Sequence, residues 1–205
     1  MYKYIRSVLA RRTFAHKLRN KAMNTFSSYE IFNSIREKQE QNRQTEKRPH
    51  EVLYFHKVDD PYSHLTVQYL DKLKDSYDIV LKPILVGEEN PETLHEPSLY
   101  NKYCLEDVRR IATYYQIEFA ADSYPSKNLV DLANSILSSV EKENFNDIAR
   151  DVSSALWNNE EDKLKEISTK YSASEDEVNK KLSEGNEIRN ECDYYFGSAF
   201  YYEKE

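Results

Sequence analysis

Glycine is scarce in this chain, with three in 205 residues. Glycine enters left-handed backbone at no steric cost, so tight glycine turns and glycine-rich phosphate loops have little to build on. Cysteine is scarcer still. Cys104 and Cys192 stand far apart and form no C-x-x-C, which excludes a local dithiol pair. Two such thiols read as reduced and mostly buried, in a reducing and hence cytoplasmic setting, with a long-range disulfide left open. No apolar run approaches the ~20 residues that span a bilayer. No acidic residue precedes Glu30. The leading segment "MYKYIRSVLARRTFAHKLRNKAMNTFSSYEIF" lacks the continuous apolar stretch and cleavage pattern of a secretory signal. A helical basic arm and a mitochondrial-type presequence are its two readings.

What is present is charge and tyrosine. The chain is 39% hydrophobic and 32% charged, which suits one globular domain with extra segments and a real core. The net charge of -7 hides an asymmetry: residues 1–50 hold twelve Lys/Arg against four Asp/Glu, and 51–205 hold seventeen against thirty-two. An acidic body excludes a general nucleic-acid-binding role. The basic arm suits a membrane surface or an acidic partner. Seventeen tyrosines suit half-buried sites and interfaces, where an apolar ring carries a wet hydroxyl.

Along the chain, residues 1–50 read as a basic N-terminal arm ending in a polar linker, "REKQEQNRQTEKRPH". "VLYFHKV" from 52 is β-branched, aromatic and of strand length. From Pro61 the period becomes helical, with Leu65, Tyr69 and Leu73 on one face, so one helix is expected over 61–76. "IVLKPILVG" at 79–87 is a second strand, and Pro83 places it at a sheet edge. Strand, helix, strand without a hairpin reads as a βαβ unit, occupying 51–97. Residues 98–190 read as helices, with a capping pattern from Ser172 to Glu175 and two helices around Gly185. "SAFYYEKE" in 191–205 begins a third strand.

The order of these pieces resembles the DsbA-like branch of the thioredoxin superfamily, most closely the 2-hydroxychromene-2-carboxylate isomerases and kappa-class glutathione transferases. "YFHKVDDPYSHL" resembles that family's strand and S-P-Y-S-x-L helix start. "LKPILVG", "NKYCLEDVRRIATYYQIEF", "ALWNNEEDK" and "GSAFYYEKE" are similar to its later motifs, in order, over 52–205. The resemblance implies an α/β, thioredoxin-like fold with a helical domain inserted after the second strand. The family's closing strand, turn and helix have no counterpart here, which reads as the front part of a longer chain or as an open strand edge that a partner chain covers. The resemblance also implies glutathione as cosubstrate, bound at the N-terminus of the 61–76 helix, where free N–H groups favour an anion.

Several positions depart from the family. Asp60 stands where the family keeps its thiol-activating Ser, or DsbA its first Cys, and Ser63 stands at the second redox position. Dithiol–disulfide exchange needs thiols, so an oxidoreductase fits the fold but not the residues. An ionised Asp60 repels a thiolate; with a raised pKa it serves as an acid or base. Ala199 takes the place of the family's cis-proline, and a cis bond there would cost about 2.5–4 kcal/mol, so it is expected to be trans.

Asp60, Ser63 and His64 are therefore the catalytic candidates. Pro61, Tyr62, Lys102, Ser198 and Ala199 are the candidates for holding glutathione, and no metal site is expected. Each has a plainer reading. Asp60-Pro61 is a good helix cap without chemistry. His64 is by default a surface histidine, Lys102 a solvated lysine, and the tyrosine pairs core or interface. Two functions follow: a glutathione-dependent isomerase or transferase, or a redox-inactive thioredoxin-fold binding module that has lost the nucleophile. The expected partners are a small-molecule substrate, a second thioredoxin-like domain, or a second copy in a homodimer.

Overall fold

The structure is a computed structural model that describes residues 14–25, 27–87 and 96–203. The chain divides into two compact units, 1–49 and 50–205.

In the first unit, residues 14–25 are helical and helix α1 spans Tyr29–Glu46. The sequence reading expected a linker from 36; the structure continues the helix to Glu46. The segment is polar, yet Glu, Gln, Lys and Arg are good helix formers. Arg43 donates to Glu40 at 2.6 Å, and Gln44 to the same carboxylate at 2.7 Å. Such one-turn pairs support a helix with no buried face. Lys47, in left-handed conformation, closes it.

The second unit holds β1 (Glu51–His56), α2 (Pro61–Val67), α3 (Leu70–Ser76) and β2 (Val80–Leu85). There follow α4 (Pro97–Tyr115), α5 (Lys127–Ser138), α6 (Phe145–Trp157), α7 (Glu161–Ser168), α8 (Glu175–Glu191) and β3 (Ala199–Tyr201). The described strands form one sheet in the order β2-β1-β3. β1 pairs parallel with β2 and antiparallel with β3. Pro83 lies opposite Tyr54 on the outer strand, where its missing N–H breaks no internal ladder. β1 is the central strand, and its Tyr54, Phe55 and His56 are fully buried.

The single helix expected over 61–76 is two. Gln68 caps α2, and its side-chain amide ties to the Glu118 main chain, donating to the carbonyl at 3.0 Å and accepting from the N–H at 3.3 Å. The chain then turns tightly, with Tyr69 N–H donating to the Thr66 carbonyl.

The inserted helices make the larger part of the core. α6 turns Phe145, Ala149, Val152 and Leu156 inward against Leu129, Ala133 and Ile136 of α5 and Leu164 of α7. Each large side chain so buried contributes roughly 1.5–3 kcal/mol. Two expectations shift here. α8 runs straight through Gly185 as one helix, and its capping box is Ser174 with Glu177 rather than Ser172 with Glu175. The Ser135 side chain and carbonyl hold Ala173 in an extended link to α5, so the helix starts only after it. Gly185 is needed for contact, not for a break: a Cβ there would sit 1.9 Å from the Leu85 carbonyl oxygen at the end of β2.

Among the described residues no helix is long and apolar enough to cross a membrane. Cys104 is buried and Cys192 half-buried, and both are free thiols.

Candidate functional site

The site lies where β1 ends and α2 begins. Asp60 is the N-cap of α2, in extended backbone, with Pro61 in the first turn. Its Oδ2 accepts from the Ser63 N–H at 2.8 Å and from the Ser63 hydroxyl at 2.9 Å. The Ser63 hydroxyl in turn accepts from the Lys57 N–H at 3.2 Å. Ser63 is thus a fully buried brace of the β1–α2 turn, and the amide a bound anion would seek is taken by Asp60.

His64 is not on the surface. It is 6% exposed, its Nδ1 pairs with the Ser153 hydroxyl at 2.9 Å, and its ring stacks on Trp157. Burial lowers its pKa to about 4, so it is neutral near pH 7. The helix turns this face toward α6 because Ser63, His64 and Val67 share it. His56 is buried deeper, with Nδ1 on the Tyr54 hydroxyl at 3.0 Å and no partner at Nε2 among the described residues. Burial first, and the neighbouring His64 second, lower its pKa to about 3.

The opposite face of α2 opens on a pocket of about 430 Å³. Asp60, Pro61, Tyr62 and Ser198 line it, as four of the eight residues singled out by sequence. Ser63 and His64 sit behind it in the core, Lys102 is exposed on α4, and Ala199 pairs with Phe55 in β3. No cis peptide occurs among the described residues. Ser198 has φ of 44°, a left-handed backbone rare for a residue with a side chain. Its hydroxyl meets the Thr66 hydroxyl at 2.6 Å. That bond holds the segment before β3 against α2.

Sequence reasoning missed the rest of the lining. Tyr100 and Asn101 come from α4, Tyr124 from the link to α5, and Phe196 and Gly197 from the approach to β3. Tyr100 and Phe196 stack at 5.7 Å, and the Tyr62 hydroxyl donates to Asp107 at 2.7 Å. The abundance of tyrosine was the available signal, but nothing local says which tyrosines converge.

Asp60 is half-buried, and loss of water pushes its pKa up to about 6; the Ser63 hydrogen bonds and the Lys57 charge oppose the rise. Its charge in turn helps push up Tyr124 and the Cys104 thiol, although burial is the main cause for both. Lys57 pairs with Asp59 at 3.5 Å. Among the described residues no group of three His, Cys, Asp or Glu is placed to hold a metal ion. Chemically, this is a tyrosine-walled pocket beside a carboxyl group whose pKa loss of water raises to about 6.

No family model matches the sequence, and no curated protein matches it. In structure the chain is similar to 2-hydroxychromene-2-carboxylate isomerase. The two agree with a TM-score of 0.50 over 74% of this chain and 84% of that one, at 15% identity. That likeness shows the fold: a thioredoxin-like α/β fold with added helices.

Proposed function

We propose that the chain is a non-redox, thioredoxin-fold enzyme of the glutathione-dependent isomerase and transferase type, with Asp60 as its proton-transfer group. What supports this is the placement of Asp60: a half-buried carboxyl on the wall of a pocket, its pKa raised to about 6 by loss of water. A group with a pKa near the working pH is present in both forms and exchanges protons with little driving-force penalty. In the isomerisation, the Asp60 carboxylate takes a proton from one substrate atom and returns it to another, so the carboxyl ends as it began. Glutathione occupies the same pocket as cosubstrate. Neither Cys104 nor Cys192 is among the residues lining the pocket, so this reading assigns the reaction no dithiol exchange.

A second reading, a redox-inactive binding module, is favoured by one specific feature. Asp60 already fills the α2 amide site through Ser63, so the residue closes the place where a thiolate would be stabilised.

Titration calorimetry with glutathione separates the two. The enzyme reading expects saturable binding at millimolar ligand or below. Absence of any heat at that concentration would sink it and leave the binding module.

A further inference from the structure

We infer that the Asp60 pocket takes an organic ammonium group, held between the carboxylate and the surrounding aromatic rings. The inference rests on the reading of this pocket as the working site, and it names the class of substrate that enters it; it does not depend on glutathione.

Four aromatic side chains, Tyr62, Tyr100, Tyr124 and Phe196, line one pocket with Asp60. Aromatic faces carry negative potential, and several around one point attract a cation, most strongly where water is thin. The stacked pair of Tyr100 and Phe196 gives one wall. Tyr62, fixed by its bond to Asp107, gives another.

The charge count agrees. The charged side chains of the lining are Lys57, Asp59 and Asp60. Lys57 and Asp59 are paired with each other, which leaves one net negative charge when Asp60 is ionised. An anionic group placed beside Asp60 meets that charge, whereas a cation there offsets the desolvation that Asp60 suffers. The short α2 argues the same way. With seven residues it offers few aligned peptide dipoles to hold an anion, and the Ser63 N–H is already bonded to Asp60.

The other ionisable groups that feel Asp60 are Lys57, Tyr54, Cys104 and Tyr124. The tyrosine hydroxyls and the thiol are pushed upward, so they stay protonated while Asp60 titrates. A cation's affinity then follows the ionised fraction of Asp60.

The probe is choline, compared with its uncharged carbon isostere 3,3-dimethylbutanol, each titrated into the whole protein and followed by amide chemical shifts. Choline is expected to shift signals of Asp60, Tyr62, Tyr124 and Gly197, and the isostere to bind at least about tenfold more weakly. Choline affinity is expected to rise roughly tenfold from pH 5 to pH 7 as Asp60 ionises. Asp60→Asn removes the charge while keeping a cap, and Tyr124→Leu removes a ring without touching the cap; each is expected to weaken choline at least fivefold with the protein still folded by its amide spectrum. Equal binding of choline and isostere overturns the inference, as does choline binding that neither substitution changes. No choline binding at millimolar concentration also overturns it. If glutathione binds in that last case, the enzyme reading survives alone; if choline binds and glutathione does not, only the thiol part of that reading falls.

Discussion

Gly197 packs directly on the cap of α2: a Cβ on it would lie 3.3 Å from the Asp60 Cβ and 2.7 Å from the Lys57 Cβ. Both are atoms close to the backbone and cannot swing aside. The approach to β3 is therefore pressed onto Asp60, and this is part of why the carboxyl is short of water. Gly197→Ala must push the segment back. The expected result is a loss of about 1–3 kcal/mol of stability and a fall of the Asp60 pKa from about 6 toward its ordinary 3.8, read by carboxyl NMR titration. An Asp60 that titrates unchanged in a folded Gly197→Ala protein would show that this segment does not dry the site.

Gly185 makes a tighter demand. The contact it avoids, 1.9 Å to the Leu85 carbonyl oxygen, is with backbone in the sheet. Alanine is the better helix former by about 1 kcal/mol, so propensity alone favours Gly185→Ala. The contact reverses the sign, because α8 has to lift off the end of β2. Overpacking of this kind costs about 1–3 kcal/mol and sometimes more. Urea unfolding is expected to show a lower midpoint; an unchanged or higher one would mean that α8 is free to move away.

Acid is expected to destabilise this fold through its two buried histidines. His56 and His64 have pKa values lowered to about 3 and about 4 from an ordinary 6.5. Their neutral forms support the fold fully above pH 6.5, and that support is lost as the pH falls through 4 and then 3. Asp60 runs the other way. Its folded pKa near 6 exceeds the ordinary 3.8, so its contribution is complete below 3.8 and is lost as the pH rises through 6. The two histidine shifts together exceed the one aspartate shift. Between pH 7 and 4 the net loss is on the order of 3 kcal/mol. Urea midpoints across that range test it, with a shallower slope expected for His64→Asn. A flat profile in the unsubstituted protein would contradict neutral burial of the pair.

Local sequence reaches only the parts of this fold that adjacent residues decide. The strands were legible because apolar, β-branched runs end at turn residues, and Pro83 alone marks β2 as an outer strand. The Asp60-Pro61 start was legible because capping is a matter of four adjacent residues. His64 was not, since its partner Ser153 lies 89 positions away. Nor was the break after Val67, which depends on Gln68 finding the Glu118 main chain. Gly185 carries no local mark that distinguishes a helix end from a close contact. The pocket walls come from α4, the link to α5 and the approach to β3, which only the assembled fold brings together.

Asp60→Ser separates the roles of that residue. Serine is also a strong N-cap, so the Ser63 N–H keeps an acceptor and α2 keeps its start. The half-buried charge disappears, and with it the desolvation that raises the carboxyl pKa. Stability near pH 7 is therefore expected to change little or to rise. For glutathione, the like charge facing its thiolate is gone, and binding is expected to tighten severalfold, since one charge at about 4 Å is worth about 1 kcal/mol even in water. For choline the same change is expected to weaken binding. Proton transfer loses its acid–base group, so turnover of any isomerisation substrate should fall by about 10²–10⁴-fold. Unchanged or weaker glutathione binding in a stably folded Asp60→Ser protein would place the thiol elsewhere than beside residue 60.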